Sequence, residues 1–311
     1  MDFAHVSVML DACIQALACK SGGFYVDGTL GGGGHSEAIL RASAPDGRLI
    51  GIDRDDDALK SAGVRLAPYG ARVCLCKGNF ADMAQLVSEV GWGLADGILL
   101  DLGVSSYQLD EAARGFSYQH DAPLDMRMDR TRDFRAYDVV NGYTQQQLQD
   151  VIRNYGEERW ASRIAQFIVA RRGQAPIATT QDLVDVIKAA IPSGARREGP
   201  HPAKRTFQAI RIEVNDELGS IQRLLEGITA IMKPGARIAI ITFHSLEDRL
   251  VKQGFKHLEH PCTCPREAPV CTCGKTPQLR IITRKPILPD TEELASNPRA
   301  RSAKLRVAQK I

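Results

Sequence analysis

The sequence predicts an α/β fold, a parallel doubly wound sheet interrupted by an all-helical insertion. Three observations carry that prediction. Short apolar runs alternate with helical patterns from Phe24 to Asp101, and three of the four runs end in an aspartate, Asp27, Asp53 or Asp101. From Leu109 to Arg205 the chain is polar, and its periodicity is helical only. Strand-like apolar runs then return towards the C-terminal end.

Ser7 to Ala18 sets Val8, Leu10, Ile14 and Leu17 at helical spacing. Phe24–Asp27 reads as strand one, and Ser36–Arg41 as a helix. Arg48–Asp53 is strand two. Asp55–Leu66 follows as a helix, and its run Asp55-Asp56-Asp57 suits the partial positive charge of a first turn better than a metal. Val73–Cys76 is a short third strand before Gly78-Asn79-Phe80, and Met83–Val90 is a helix. Gly97–Asp101 is almost wholly apolar, as a central parallel strand is.

Helical patterns then cover Gln145–Asn154, Glu157–Arg172 and Thr180–Ala190. Ile191–Pro202 reads as a loop, with Pro192, Gly194, Gly199, Pro200 and Pro202. Thr206–Gly227 reads as one helix and Lys233-Pro234-Gly235 as a turn. Arg237–Phe243 is strand five, Ser245–His257 a helix, and Leu279–Thr283 and Ala303–Ala308 the last strands. The expected domains are 1–108 with 206–311, and an inserted helical domain, 109–205. Such an insertion leaves from the strand C-termini, where open sheets bind ligands, so substrate recognition is its expected task. A stabilising or dimerising role is the alternative, and self-association stays open.

Composition narrows the class. The 311 residues make one large domain or two, and 44% hydrophobic with 25% charged residues fits a soluble globular protein. The net charge of +3 says little about partners, but its distribution says more. Between Leu279 and Ile311 eight Lys/Arg face three Asp/Glu, and Arg196, Arg197, Lys204, Arg205 and Arg211 form a second basic cluster. Both suit nucleic-acid phosphates, and both also suit a solvated surface. No run approaches the roughly 18 apolar residues of a membrane span. The first ten residues carry Asp2 and His5 and no basic segment, so no secretory leader is expected. Cys13, Cys19, Cys74 and Cys76 sit in apolar surroundings, which reads as a reducing cytoplasm.

The motif that carries most chemistry is Tyr25-Val26-Asp27-Gly28-Thr29-Leu30-Gly31-Gly32-Gly33-Gly34-His35. A strand, a glycine turn and a helix start form a site where backbone amides meet an anion. Dinucleotide turns usually have no acid ahead of the glycines. The acid here resembles the cofactor turn of S-adenosylmethionine (SAM) methyltransferases. Asp53, ending strand two, suits a ribose diol in either cofactor. Phe80 is placed to pack on adenine or to serve as a core aromatic. Asp101 ends the central strand before Leu102-Gly103-Val104-Ser105-Ser106, where it would meet both cofactor and substrate. Amino-group methyltransferases often carry an acid or Asn there, followed by Pro-Pro-aromatic; this chain has only the acid. His244, in Phe243-His244-Ser245-Leu246-Glu247-Asp248, is a candidate substrate contact or a helix-cap residue. Cys262-x-Cys264 and Cys271-x-Cys273 offer four thiols to a zinc ion, with loop thiols as the alternative.

Together these segments resemble the 16S rRNA (cytosine N4)-methyltransferases, the MraW/RsmH family. The resemblance rests on His5-x-x-Val8-Met9-Leu10, the Asp27–Ser36 turn, Ile52-Asp53-Arg54-Asp55 and Asp96–Ser106. It continues through Arg114-Gly115-Phe116-Ser117, Pro123–Asp129, Tyr155–Arg159, Arg205–Arg211, Phe243–Asp248 and Asn297–Ser302. It implies a Rossmann-like class I SAM-dependent methyltransferase sheet with the helical insertion. The implied activity is methylation of N4 of a cytidine in the decoding region of small-subunit rRNA. The implied cofactor contacts are Gly33, Gly34, His35, Asp53, Phe80, Asp101 and Gln108, beside Asp27. Asp101 and the Ser105 loop would face the reacting amine. Position 107 is Tyr, where many members are expected to carry Pro. A nicotinamide dehydrogenase on the same sheet, or a non-catalytic rRNA-binding assembly factor, are the competing functions.

Overall fold

In a computed structural model all residues are described except 1–6, 197–198, 266–269 and 271. Asp2, His5, Arg197 and Cys271 therefore lie outside the described residues. The chain divides into two units, Met1–Gly103 with Leu218–Ile311, and Val104–Glu217.

Among the described residues the first unit holds seven strands: β1 (Phe24–Asp27), β2 (Arg48–Asp53), β3 (Val73–Lys77), β4 (Ala95–Asp101), β5 (Met232–Thr242), β6 (Leu279–Ile281) and β7 (Lys304–Lys310). They form one sheet in the order β3-β2-β1-β4-β5-β7-β6. The pairings from β3 to β5 are parallel, and β7 runs antiparallel to both β5 and β6. The winding reverses between β1 and β4, so their C-terminal ends flank the switch point where such sheets bind ligands. Asp27 and Asp101 are the last residues of those two strands.

Helices α1 (Leu10–Leu17), α2 (Gly34–Ala42), α3 (Asp56–Leu66) and α4 (Met83–Val90) lie in the first unit. The second unit carries α5 (Ser106–Asp110), α6 (Ala136–Gly142), α7 (Gln145–Gly156), α8 (Ala161–Arg172), α9 (Thr180–Ala190), α10 (Ser193–Arg196) and α11 (Lys204–Asn215). Then follow α12 (Glu217–Gly227), α13 (Ser245–Glu259) and α14 (Thr291–Ser296). Among the described residues no helix is long and apolar enough to cross a membrane.

Strand alternation divides the sheet's apolar side chains between two clusters. Phe24, Val26, Ile98, Leu100, Ile238 and Ile240 join one, with Phe80 and Met83. Tyr25, Leu99, Ala239, Ile241, Leu305 and Val307 join the other, with Cys13 and Ile39. The helical unit has its own core, built from Leu148, Ile152, Ile164, Ile168, Leu183, Ile187, Phe207 and Ile210.

The structure differs from the sequence reading at several places, among them the Ile191–Pro202 loop, which holds α10, and the start of α8 at Ala161 rather than Glu157. Thr206–Gly227 is two helices, broken at Asp216, whose φ of 48° is left-handed. No glycine or proline signals the break; aspartate visits this region because its short side chain can bond locally. In consequence α11 belongs to the helical unit, where Phe207, Ile210 and Val214 are buried, and that unit spans 104–217 rather than 109–205. Lys233-Pro234-Gly235 lies inside β5, at a register irregularity opposite Ala95 and Gly97. A bulge accommodates proline in a strand, because its missing N–H is not required there.

Candidate active site

The turn after β1 is set by Asp27. Its side chain is buried, and its two oxygens accept from the Thr29 backbone N–H at 3.1 Å and from Ser36 Oγ at 2.7 Å. Burial raises its pKa, while His35, Ser36 and Thr29 act against that rise. Asp27 therefore shapes the turn from inside. The glycines divide their tasks. A Cβ on Gly32 would meet nothing within 4 Å, whereas one on Gly34 would meet Ser7 Oγ at 2.1 Å. Gly33 adopts φ 77° as the N-cap of α2 and packs so closely on α3 that a methyl group there would stand 3.2 Å from Ala62 Cβ. Gly31 and Gly32 thus leave the open floor, while Gly33 and Gly34 let α2 approach its neighbours.

Asp101 closes β4. Its backbone N–H donates to Thr29 Oγ1 at 2.6 Å, which ties the two strand ends together. His35, in the first turn of α2, sets Nε2 3.7 Å from Asp101 Oδ2, an ion-pair distance beyond hydrogen-bond reach. Burial opposes charge on His35, but Asp101, Asp27 and Glu293 outweigh it and raise its pKa above the ordinary value. Both ring nitrogens of His35 and Oδ1 of Asp101 are buried without a hydrogen-bond partner among the described residues. Such orphaned groups at a strand switch point are what a polar ligand satisfies.

Asp53 ends β2 and accepts from Gly31 N–H and Asp55 N–H, each at 2.9 Å. Burial pushes its pKa up to about 6, despite those two bonds. Asp55 caps α3 by accepting from Asp57 N–H at 3.1 Å, so this part of the acidic run is a helix start. Phe80 is 8% exposed and belongs to a sheet core cluster, so only its edge is left for a ligand.

Three predicted residues are engaged in helix caps. Ser105 Oγ accepts from Gln108 N–H at 3.2 Å, and Gln108 Oε1 accepts from Ser105 N–H at 3.0 Å, a capping box for α5 in the helical unit. Tyr107 sits in the first turn of that helix and is exposed, so the turn forms without proline. His244 is the N-cap of α13. Its Nδ1 accepts from Glu247 N–H at 3.4 Å, and Glu247 Oε2 accepts from Phe243 N–H at 2.8 Å. His244 thus takes the cap role through Nδ1, while its Nε2 lies 3.2 Å from Glu247 Oε1. The four predicted cysteine ligands are described at three positions, Cys262, Cys264 and Cys273, whose sulfurs lie within 4.8 Å of one another.

The basic clusters are partly internal. Arg211 donates to Glu217 from Nε and Nη2 at 2.8 and 2.9 Å, and Glu217 is buried. Arg306, 6% exposed, donates to Asp248 at 2.6 Å, so it staples the sheet instead of facing phosphate. Lys204 and Arg205 are exposed. Sequence reasoning missed Thr29, Ser36 and Glu293. The first two stand within the glycine motif and were legible as side-chain partners for its acids. Glu293 accepts from Met9 N–H across 284 residues, a pairing with no local signal.

The sheet order, with its antiparallel β7 and aspartates at the ends of β1, β2 and β4, defines a Rossmann-like class I methyltransferase fold. The chain belongs to the MraW methylase family, whose model matches residues 2–311. It is similar to Ribosomal RNA small subunit methyltransferase H of Symbiobacterium thermophilum, 58% identical over 100% of this chain and 98% of that protein. The protein of the same name from Clostridioides difficile is 57% identical over 100% of both. A solved structure of an rRNA methylase from Streptococcus thermophilus aligns over 99% of both chains, at 10% identity and a TM-score of 0.43.

Proposed function

We propose that this protein transfers a methyl group from SAM to the exocyclic N4 amine of a cytidine in the decoding region of small-subunit (16S) rRNA. One observation carries the reading. Asp101 Oδ1 is buried and unpartnered among the described residues, beside His35 and one hydrogen bond from the glycine turn. The names of the relatives and the family membership support the substrate class.

The residues fit SAM. The open floor at Gly31 and Gly32 and the first turn of α2 suit the amino-acid carboxylate. Asp53 suits the ribose hydroxyls, and the edge of Phe80 suits adenine. When bound, SAM supplies a methyl group activated by its sulfonium. The work left to the protein lies on the amine. Its lone pair is delocalised into the cytosine ring, and an acceptor on its N–H localises that pair for attack. Asp101 Oδ1 supplies the acceptor and takes up the proton that the amine must lose. His35 Nε2 stands 3.7 Å from the other oxygen of this carboxylate. The target base leaves any stack to enter the site, or is single-stranded. Exposed Lys204 and Arg205 of the helical unit suit the rRNA phosphates, as substrate recognition requires. The cysteine usage supports a cytoplasmic setting.

The test incubates the protein with methyl-labelled SAM and small ribosomal subunits, then identifies the labelled nucleoside and its position. N4-methylcytidine in the decoding region is the expected product. Label on another atom of cytosine, or on a ribose oxygen, overturns the N4 assignment. Absence of label with SAM demonstrably bound overturns methyl transfer to rRNA.

A further inference from the structure

The described residues of the segment 260–278, between α13 and β6, bury little apolar surface. Among its described residues only Pro261 is buried, and Val270 is 70% exposed. The loop is anchored at its end, where Gln278 N–H donates to Leu258 O at 2.8 Å and Gln278 Oε1 accepts from Thr229 Oγ1 at 2.6 Å. Long connections between elements are usually either functional or linkers. Three sulfurs meet within it. Cys262 Sγ and Cys273 Sγ are 3.8 Å apart, and Cys264 Sγ lies within 4.8 Å of both.

We propose that Cys262, Cys264 and Cys273 hold a structural zinc ion that orders this loop against the sheet. The spacing carries the choice of metal over disulfide. Two sulfurs about 2.3 Å from a tetrahedral ion stand about 3.8 Å apart, whereas a disulfide brings them to about 2.05 Å. The surroundings suit thiolate. The Thr272 backbone N–H points at Cys264 Sγ at 3.4 Å, and Thr272 Oγ1 lies 3.8 Å from the same sulfur. Donors of this kind stabilise metal-bound sulfur and fix its orientation. Thiolates grouped at tetrahedral spacing select zinc over the oxygen-loving cations. Cys271 completes the second Cys-x-Cys pair in the sequence; it lies outside the described residues, and the inference stands on the other three. Burial pushes Cys19 and Cys76 up to about 11, and Cys13 also well upwards, so they keep their protons. The zinc ion takes no part in methyl transfer; its binding energy orders a segment that buries too little apolar surface by itself.

The test uses the full chain, purified with reductant and without chelator, and measures metal by mass spectrometry. One zinc per chain is expected, and it is lost in Cys262→Ser and in Cys273→Ser but kept in Cys74→Ser. Because a variant can fail to fold, the unmodified chain is also stripped with chelator and titrated with Co(II). The expected spectrum has the strong visible bands of tetrahedral cobalt and a thiolate charge-transfer band in the near ultraviolet. A chain that retains no zinc and gives no charge-transfer band overturns the proposal. So does undiminished zinc in Cys262→Ser and Cys273→Ser together, or a loop disulfide found by mapping under non-reducing conditions in freshly purified protein.

Discussion

His35 Nε2 stands 3.7 Å from Asp101 Oδ2, and this pair, a buried histidine with a half-buried aspartate, joins the first turn of α2 to the end of β4. The acid that faces the proposed amine is therefore held by the helix that follows the glycine turn. The proposed cofactor seat and the proposed reacting carboxylate are tied further by Thr29 Oγ1, which accepts from the Asp101 backbone N–H.

Asp101→Ala is expected to abolish methyl transfer, a loss of about 10²–10⁴-fold if Asp101 acts on the amine proton. SAM affinity measured by calorimetry on the same variant separates acting from holding. A large loss of affinity with turnover preserved at saturating SAM would move Asp101 from the reaction to cofactor binding.

His35 gives a stability signal of defined sign. Its pKa is raised in the folded state, chiefly by Asp101 against the opposing effect of burial. Its contribution is fully present below the ordinary value of about 6.5 and is lost as pH rises through the raised value. Urea unfolding of the protein and of His35→Gln should therefore differ most at mildly acidic pH and converge as pH rises. A difference that grows with pH contradicts the assignment.

Asp53 gives a pH dependence to binding. Burial lifts it to about 6, and the ribose hydroxyls need its ionised form. SAM binding should weaken as pH falls below about 6, by at most about tenfold per pH unit for one proton. Asp53→Asn should bind weakly and flatten the profile. Folding stability runs the other way: the raised pKa contributes below the ordinary carboxylate value and is lost as pH rises through about 6.

Gly33→Ala tests the turn. The residue sits at φ 77°, and a methyl group would meet Ala62 Cβ at 3.2 Å. The left-handed conformation alone costs about 1–2 kcal/mol for a residue with a side chain. Denaturant unfolding should show at least this loss, and SAM affinity should fall with it.

Arg211 and Lys204 should separate structural from phosphate-binding cations. Arg211 forms two hydrogen bonds to buried Glu217, so Glu217→Ala strands a charge and should destabilise by about 3 kcal/mol in urea unfolding. Lys204 is exposed, so Lys204→Ala should leave stability unchanged and lower the salt slope of rRNA binding by about one.

Much of the site was legible because its residues mark the ends of apolar runs. Asp27, Asp53 and Asp101 each close a strand, and β1, β2 and α4 have the bounds that their patterns predict. Side-chain roles were less legible. Ser105, Gln108 and His244 have the chemistry of active residues, yet each is engaged in a capping box, because the same donors and acceptors serve a helix N-terminus. Asp27 reads as a ligand contact, and its burial and its bond to Ser36 show a framing task in the turn that the sequence did not reveal.

By itself the sequence determined the alternation of strands and helices, the acids at the strand ends, the glycine turn and the two Cys-x-Cys pairs. All of these are local patterns of hydrophobicity, backbone freedom and spacing. Tertiary structure alone decided the break at Asp216, the pairing of His35 with Asp101, the burial of Arg306 and the gathering of three thiols. Each depends on which groups lose water together, and burial sets both their partners and their charge.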